Sequence, residues 1–425
     1  MQAVGLIVEY NPFHNGHQWH VQQAKKRSGC SAAVGVMSGN FVQRGEPAIL
    51  DKWTRAEMAI QGGVDLVLEL PVMFAVRSAQ FFAAGAVRLL NSLGVVEKIC
   101  FGAENANQAQ FEKITMAREH PQFNTALRRQ LRAGSPYAAA LGRTIEKSCG
   151  VDSAVVSSPN NILAFEYLLA IRKYAPNLLP IMIDRHQSGY HDQEITSPFA
   201  SAAAIRQALL ANGPAGNKKL QAALPKTSFE LILSRLKEQR GPVTIDLFSQ
   251  MALYKLRSLS PEDLRRLPDV SEGLENRIRD CALQAGNIQE FYYLLKSRRY
   301  TMTRLQRSVI HALLGLTKTD AGLADKNGPL YARVLAFNQQ GRHILKALND
   351  TASIPIINKT AAFLTSKQLR GCRESLPPLQ RMLAADIFAS DVYALGLPTA
   401  RWAAGGWDFR HSPRYIPSLP AQSNV

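Results

Sequence analysis

An apolar run of strand length, Ala3-Val4-Gly5-Leu6-Ile7-Val8-Glu9-Tyr10, is cut off by Asn11-Pro12-Phe13 and followed by His14-Asn15-Gly16-His17. A helical pattern then begins at about His17, carried by Trp19, Val21 and Ala24. Strand, sharp turn with a glycine, then helix start is the layout that builds a phosphate site, and it constrains this chain more than any other feature. Backbone N–H groups at a helix start lack intrahelical partners and carry partial positive charge. Gly16 removes the side chain that would keep a phosphate away. His14 and His17 are three apart, so both rings can lie on one side of the turn. Two such histidines can also merely cap a helix or sit at the surface. The strand before them and the glycine between them favour the phosphate site.

Strand and helix signals alternate through the first half. Apolar runs recur at Ala32–Met37, Val64–Leu70, Val95–Gly102 and Leu178–Asp184. Helical patterns lie between them: Lys52 to about Ile60, a stretch holding Phe81, Phe82, Val87, Leu89 and Leu90, and Asn160–Tyr174 behind Ser158-Pro159. A helix over Ser201–Leu210 closes the unit. This order predicts an α/β fold, a Rossmann-like domain over 1–225 with a parallel five-stranded sheet covered on both faces. Ligands in such sheets sit beyond the carboxyl ends of the strands. Tyr10, Ser38, Gly102 and Arg185-His186 all fall there. Residues 103–157 read as helices with polar turns, consistent with a helical insertion. The strand signal fades after about 225, which predicts a mainly helical domain over 226–405. The tail 406–425 carries Pro413, Pro417 and Pro420 and is expected to be flexible.

Charge narrows the partner. Fifty Lys and Arg against 33 Asp and Glu leave a net charge of +17 over 425 residues. Such an excess suits a polyanion, RNA or DNA first, although charge can also serve solubility alone. Cys30, Cys100, Cys149, Cys281 and Cys372 are scattered, without zinc spacing, as expected for free thiols in a reducing cytosol. No apolar run approaches the ~18 residues of a membrane span. The first residues read as a strand without a basic leader. A cytoplasmic protein with no membrane partner and no protein-built metal site is expected. The oligomeric state is open.

With these residues in view, His14-Asn15-Gly16-His17 resembles the His-x-Gly-His signature of the nucleotidyltransferase superfamily. Neighbouring words are more specific: Glu9-Tyr10-Asn11-Pro12-Phe13 before it and Met37-Ser38-Gly39-Asn40-Phe41-Val42-Gln43-Arg44-Gly45-Glu46-Pro47-Ala48 after it. Together with Ser158-Pro159-Asn160-Asn161-Ile162-Leu163, Ser188-Gly189-Tyr190-His191-Asp192, Ser271 to Arg277 and Lys296 to Tyr300, they resemble the bacterial tRNA(Met) cytidine acetate ligase family. The resemblance implies ATP, with Mg²⁺, as the nucleotide. It implies acetate as acyl donor and the wobble cytidine of elongator tRNA(Met) as acceptor, through an acetyl-adenylate. Domain 1–225 would then bind ATP and carry catalysis, and 226–405 would bind tRNA.

The same resemblance places ATP on Ile7-Val8-Glu9-Tyr10-Asn11-Pro12-Phe13-His14-Asn15-Gly16-His17-Gln18-Trp19-His20, with Gly102, Asn160 and Arg185. Asn161 could replace Asn160, and His186 could share the role of Arg185. His14 and His17 would stabilise the phosphate rather than abstract a proton. Attack at the α-phosphate spreads charge over its oxygens, and catalysis is mostly positioning and donors aimed at that charge. Arg44 and Lys52, in a polar cluster with Arg55, could neutralise pyrophosphate or hold RNA; a plain surface loop is the alternative. Lys296, Arg298, Arg299, Arg304 and Arg307 put five bases into twelve residues without an acid. They suit RNA phosphates, with Tyr300 available for stacking, or else a solvated helix face. One departure concerns the late loop that clamps leaving phosphates in many superfamily members. Here Ala200-Ser201-Ala202-Ala203-Ala204-Ile205-Arg206 has lost most hydroxyls, so Arg206 or the Arg44 cluster would take over. Two rival functions remain: a small-molecule adenylyltransferase, and a non-catalytic RNA-binding protein on the same fold.

Overall fold

The computed structural model describes residues 2–104, 107–135, 137–156, 158–185 and 194–417. Five parallel strands form its centre: β1 (Ala3–Val8), β2 (Ala32–Ser38), β3 (Leu66–Leu70), β4 (Val96–Ala103) and β5 (Leu179–Asp184). They lie in the order β3-β2-β1-β4-β5. Ala3 pairs with Ala32 on one side and Val96 on the other. Every residue of β1, β2 and β3 is buried, which follows from helices on both faces. The order reverses between β1 and β4, so a crevice opens beyond their carboxyl ends. Helix α1 (Asn15–Ser28) starts in that crevice.

The chain between β2 and β4 forms α2 (Lys52–Gln61), begun by Asp51, and α3 (Ala79–Ser92). The expected insertion is three helices, α4 (Gln108–Glu119), α5 (Pro121–Arg132) and α6 (Tyr137–Cys149). They rest on α7 (Pro159–Tyr174), whose Ser158 caps the Asn161 N–H at 3.3 Å. Helix α8 (Ala202–Asn212) follows β5.

The sheet is larger than the expected five strands. Beyond 225 the chain is mainly helical, including α9 (Ile288–Leu295), α10 (Met302–Leu314) and α11 (Pro378–Ala394). Yet β6 (Ala332–Phe337) returns to the sheet antiparallel to β3, and β7 (Ile356–Ile357) and β8 (Arg414–Tyr415) pair with β6 to make eight strands. The stretch from Gly406, expected to be loose, is therefore built in as far as Pro417. Trp407 is buried against Trp53, their ring centres 5.9 Å apart. Pro413 and Pro417 flank the two paired residues of an edge strand, where a missing N–H does no harm.

Asp408 is the deeper anchor. It accepts an ion pair from Lys52 at 2.8 Å and another from Arg333, while Lys52 also reaches Glu69 at 2.8 Å. All four are buried. Burial alone would raise the Asp408 carboxyl, but Arg333 and Lys52 outweigh it and hold it below its ordinary value. Lys52 is thus neither an RNA nor a pyrophosphate contact. Arg55 is equally internal: its guanidinium bonds Leu50 O at 3.0 Å, Glu9 O at 2.5 Å, Ser38 O at 3.1 Å and Gly39 O. It staples the carboxyl ends of β1 and β2. No helix of the described residues is long and apolar enough to cross a membrane.

Lys52→Met should destabilise the fold by about 3–5 kcal/mol, because it leaves buried carboxylates with one cation fewer. Urea unfolding measures this. An unchanged midpoint with weakened RNA binding would return Lys52 to the surface role.

Candidate active site

Helix α1 begins at His14 itself, whose backbone is extended, and not at His17. The Gly16 N–H donates to His14 Nδ1 at 3.1 Å, and the His14 N–H donates to His17 Nδ1 at 3.3 Å. The two readings of the histidine pair are therefore not rivals, because each ring caps the helix through one nitrogen. A nitrogen that accepts a hydrogen bond carries no proton. Each neutral ring must then carry its proton on Nε2. The rings lie 3.7 Å apart between centres, tilted by 31°. Both line a cavity of about 1420 Å³ at the carboxyl ends of the strands. Burial, then the charges of Arg185 and Arg206, pushes His14 down to about 3. Burial, then His14 and Arg185, holds His17 well below its ordinary value. A hydrogen bond between His17 and the Pro12 backbone acts the other way without reversing the shift; the site presents two uncharged imidazoles beside a helix start, in a positive field.

Gly16 borders the cavity and has a second task besides the expected one. A Cβ there would lie 2.9 Å from His14 Cε1, so the glycine makes room for the capping ring. Gly102 does likewise for Arg185, whose Cγ would lie 3.1 Å from an added Cβ. Arg185 also reaches Asn160 Oδ1 at 3.5 Å, and Asn160 bonds Glu104 at 2.9 Å. Gly102, Asn160 and Arg185 all line the cavity. Asn161 does not: its amide is committed to the Glu104 backbone at 2.7 and 2.8 Å. His186 and the Ser188–Asp192 word lie outside the described residues.

The N-terminal loop divides into lining and support. Ile7, Val8, Glu9, His14, Gly16, His17, Trp19 and His20 face the cavity. Tyr10, Asn11, Pro12 and Phe13 are buried beneath it, with Tyr10 and Phe13 packed against the His17 ring at 4.9 and 5.7 Å. Asn15 bonds Pro198 O and Ala222 O. Gln18 is not among the lining residues. These six shape the turn and do not border the cavity. Within the turn, Tyr10 has φ +48°.

On the far side, Arg298, Arg299 and Arg304 line the same cavity, and Lys296 does not. Arg299 pairs with Glu272 at 3.0 Å. Arg304 donates to Asp269 O and Ser271 Oγ, and Arg307 pairs with Asp269 at 2.5 Å. Tyr300 is buried between Arg299 and Arg304, so its ring is no stacking platform. Arg44 borders the cavity from the loop after β2. Glu9 accepts the Gln43 N–H at 2.7 Å, and Gln306 donates to Glu46 at 2.9 Å, so this loop joins the two sides. Gly45, at φ +80°, lets it lie directly on the Arg307 backbone. In the late loop, Ser201 caps α8 through Ala204 N at 3.0 Å, and Arg206 holds Asn11 O at 2.9 Å. Neither borders the cavity. Among cationic residues of the nucleotide side, Arg44 and Arg185 do.

Lining residues with no motif signal include Phe101, Tyr137, Glu166 and Tyr167. The Phe101 and Tyr167 rings are 5.2 Å apart and supply an apolar wall. Tyr137 donates to Glu166 at 2.9 Å, tying the insertion to α7. Among the described residues no group of three or more His, Cys, Asp or Glu is placed to hold a metal ion.

Comparison with known proteins places the chain in a family. A family model described as HIGH Nucleotidyl Transferase matches residues 1–404. A tRNA(Met) cytidine acetate ligase of Acetivibrio thermocellus is 38% identical over 96% of this chain and 98% of its own. One from Caldanaerobacter subterraneus is 40% identical over 97% and 99%. The crystal structure of Thermotoga maritima TmcAL bound with alpha-thio ATP superposes with a TM-score of 0.89 at 30% identity, over 98% of this chain and all of that one.

His14 and His17 should remain neutral Nε2–H tautomers between pH 8 and 5, read from imidazole ¹⁵N shifts. Unfolding restores an ordinary pKa near 6.5. The stability of the folded neutral forms is thus fully present above pH 6.5 and is lost as pH falls towards about 3. A ring that titrates near 6.5 in the folded protein would refute the cap-locked tautomer.

Proposed function

The chain belongs to the HIGH nucleotidyl transferases and, within them, to the tRNA(Met) cytidine acetate ligase family, and from that membership we propose that it acetylates the wobble cytidine of elongator tRNA(Met). ATP lies on the start of α1, with acetate as acyl donor. One observation carries the reading. A single cavity of about 1420 Å³ joins the histidine pair to Arg298, Arg299 and Arg304. Pockets for one small ligand run to roughly 300–1,000 Å³. This one has room for a nucleotide and a flipped base together.

Acetate is ionised near neutral pH and needs no base to attack. Its oxygen bonds to the α-phosphorus, and the bond to the bridging oxygen breaks, releasing pyrophosphate. The Nε2–H groups of His14 and His17 donate to the phosphate oxygens as negative charge builds there. Being neutral, they supply hydrogen bonds without changing protonation. Arg185 and Arg44 offset the charge of the phosphates. The cytidine N4 then attacks the acetyl carbonyl, AMP leaves with the C–O bond pair, and the N4 proton passes to solvent. Asn160 is suited to a sugar hydroxyl, and the Phe101–Tyr167 wall to a base. Mg²⁺ would accompany the triphosphate and offset its charge; among the described residues there is no carboxylate cluster to hold it. The basic segment at 298–304 holds tRNA, and the reaction belongs in the cytoplasm, where its substrates meet.

ATP, labelled acetate and tRNA incubated with the protein should place label in RNA. Label that stops at acetyl-adenylate would favour the small-molecule adenylyltransferase. His17→Ala should lower adenylate formation by about 10²–10³-fold, with tRNA affinity within twofold of the parent. Loss of tRNA binding in that variant would contradict the division of labour between the two sides.

A further inference from the structure

The cavity mouth has a second bank that the motifs leave unassigned. Leu131, Arg132, Ala133, Gly134 and Ser135 line it from the end of α5, in the same cavity as Arg298, Arg299 and Arg304. Arg128 sits one turn before Arg132 on α5, so the two share a stripe. Both are exposed, and neither has a carboxylate partner among the described residues. From His120 to Ile145 the sequence has no Asp or Glu. Two like charges four apart on one helix repel each other, so this arrangement does not serve the helix. Phe123 and Leu127 bury the other side of α5, and Leu131 remains 38% exposed at the lip.

The bank is also held in place. Tyr137, just past the lip, donates to Glu166 at 2.9 Å on the same helix that presents Asn160 to the cavity. Arg172 of α7 pairs with Glu119 of α4. The insertion is thereby fixed relative to the nucleotide side.

We propose that α5 is the second wall of an RNA-binding cleft, in which Arg128 and Arg132 take phosphates of the same RNA whose base enters between them and Arg298. This rests on the acetyl-transfer reading. Two groups of guanidinium side chains, one on α5 and one at 298–304, border the same cavity and fit a folded polyanion. Exposed Leu131 gives an apolar contact for an unstacked base, as loop recognition in RNA uses.

The test is tRNA affinity against salt for the whole chain and for the double variant Arg128→Glu/Arg132→Glu. A charge-matched control, Arg342→Glu/Lys346→Glu, alters exposed residues of the helix Gln339–Thr351, outside the cavity lining. The α5 variant should lose about tenfold in affinity, and its log–log salt slope should shrink by roughly 1.5, near 0.7–0.9 per lost phosphate contact. The urea-unfolding midpoint should match the parent, which shows that the variant folds. Affinity within twofold of the parent, or a loss equal to the control's, would overturn the second wall. If the parent chain itself fails to bind tRNA, the acetyl-transfer reading falls instead, and the two failures are told apart.

Discussion

The site rests on two hydrogen bonds made by backbone N–H groups to imidazole nitrogens. Gly16 N–H and His14 N–H are donors that a helix start leaves open, and the two imidazoles accept from them. In doing so they decide which nitrogen of each ring keeps its proton. One bond therefore serves folding and chemistry together: the nitrogen facing the backbone closes the cap, and the other becomes a donor. Burial keeps both rings neutral, so the donors are present throughout the physiological range. The surrounding residues maintain that arrangement. Gly16 admits the His14 ring, Phe13 and Tyr10 support His17 from below, and Arg206 holds the carbonyl of Asn11.

Around this point the sheet supplies direction. The β3-β2-β1-β4-β5 order opens a crevice where the neighbours of β1 diverge, and α1 enters there. Arg55 joins the carboxyl ends of β1 and β2 from inside. The last part of the chain closes the sheet on the β3 side through β6, β7 and β8, with Asp408 locked between Lys52 and Arg333. Desolvating four charges is costly, and such a cluster holds register more than it adds stability. Its consequence for function is indirect: it ties the C-terminal chain to the body of the sheet whose strand ends form the site.

Several readings of polar residues changed once burial was known. Lys52 and Arg55 look in sequence like partners of Arg44, because all follow β2. Asp51 caps α2 and turns both inward, leaving Arg44 at the cavity. Tyr300 looks like an aromatic among cations offered to RNA, and instead those cations flank and bury it. The stretch 406–417 looks loose because it is rich in proline, yet Trp407 and Asp408 are anchored within it.

The amino-acid order by itself determined the central α/β unit, the strand that leads into the histidine turn and the family to which the chain belongs. These depend on local patterns: continuous apolar runs, a glycine at a fixed offset, and short words of adjacent residues. Only the tertiary structure decided which of those residues border the cavity, which nitrogen of each histidine closes the helix cap, and that the insertion and the 298–304 segment border one cavity. Such facts arise between residues far apart in the chain, as with Glu69, Arg333 and Asp408, or Arg132 and Arg298. Charge and residue type are visible in one dimension, but burial and facing depend on how remote segments pack.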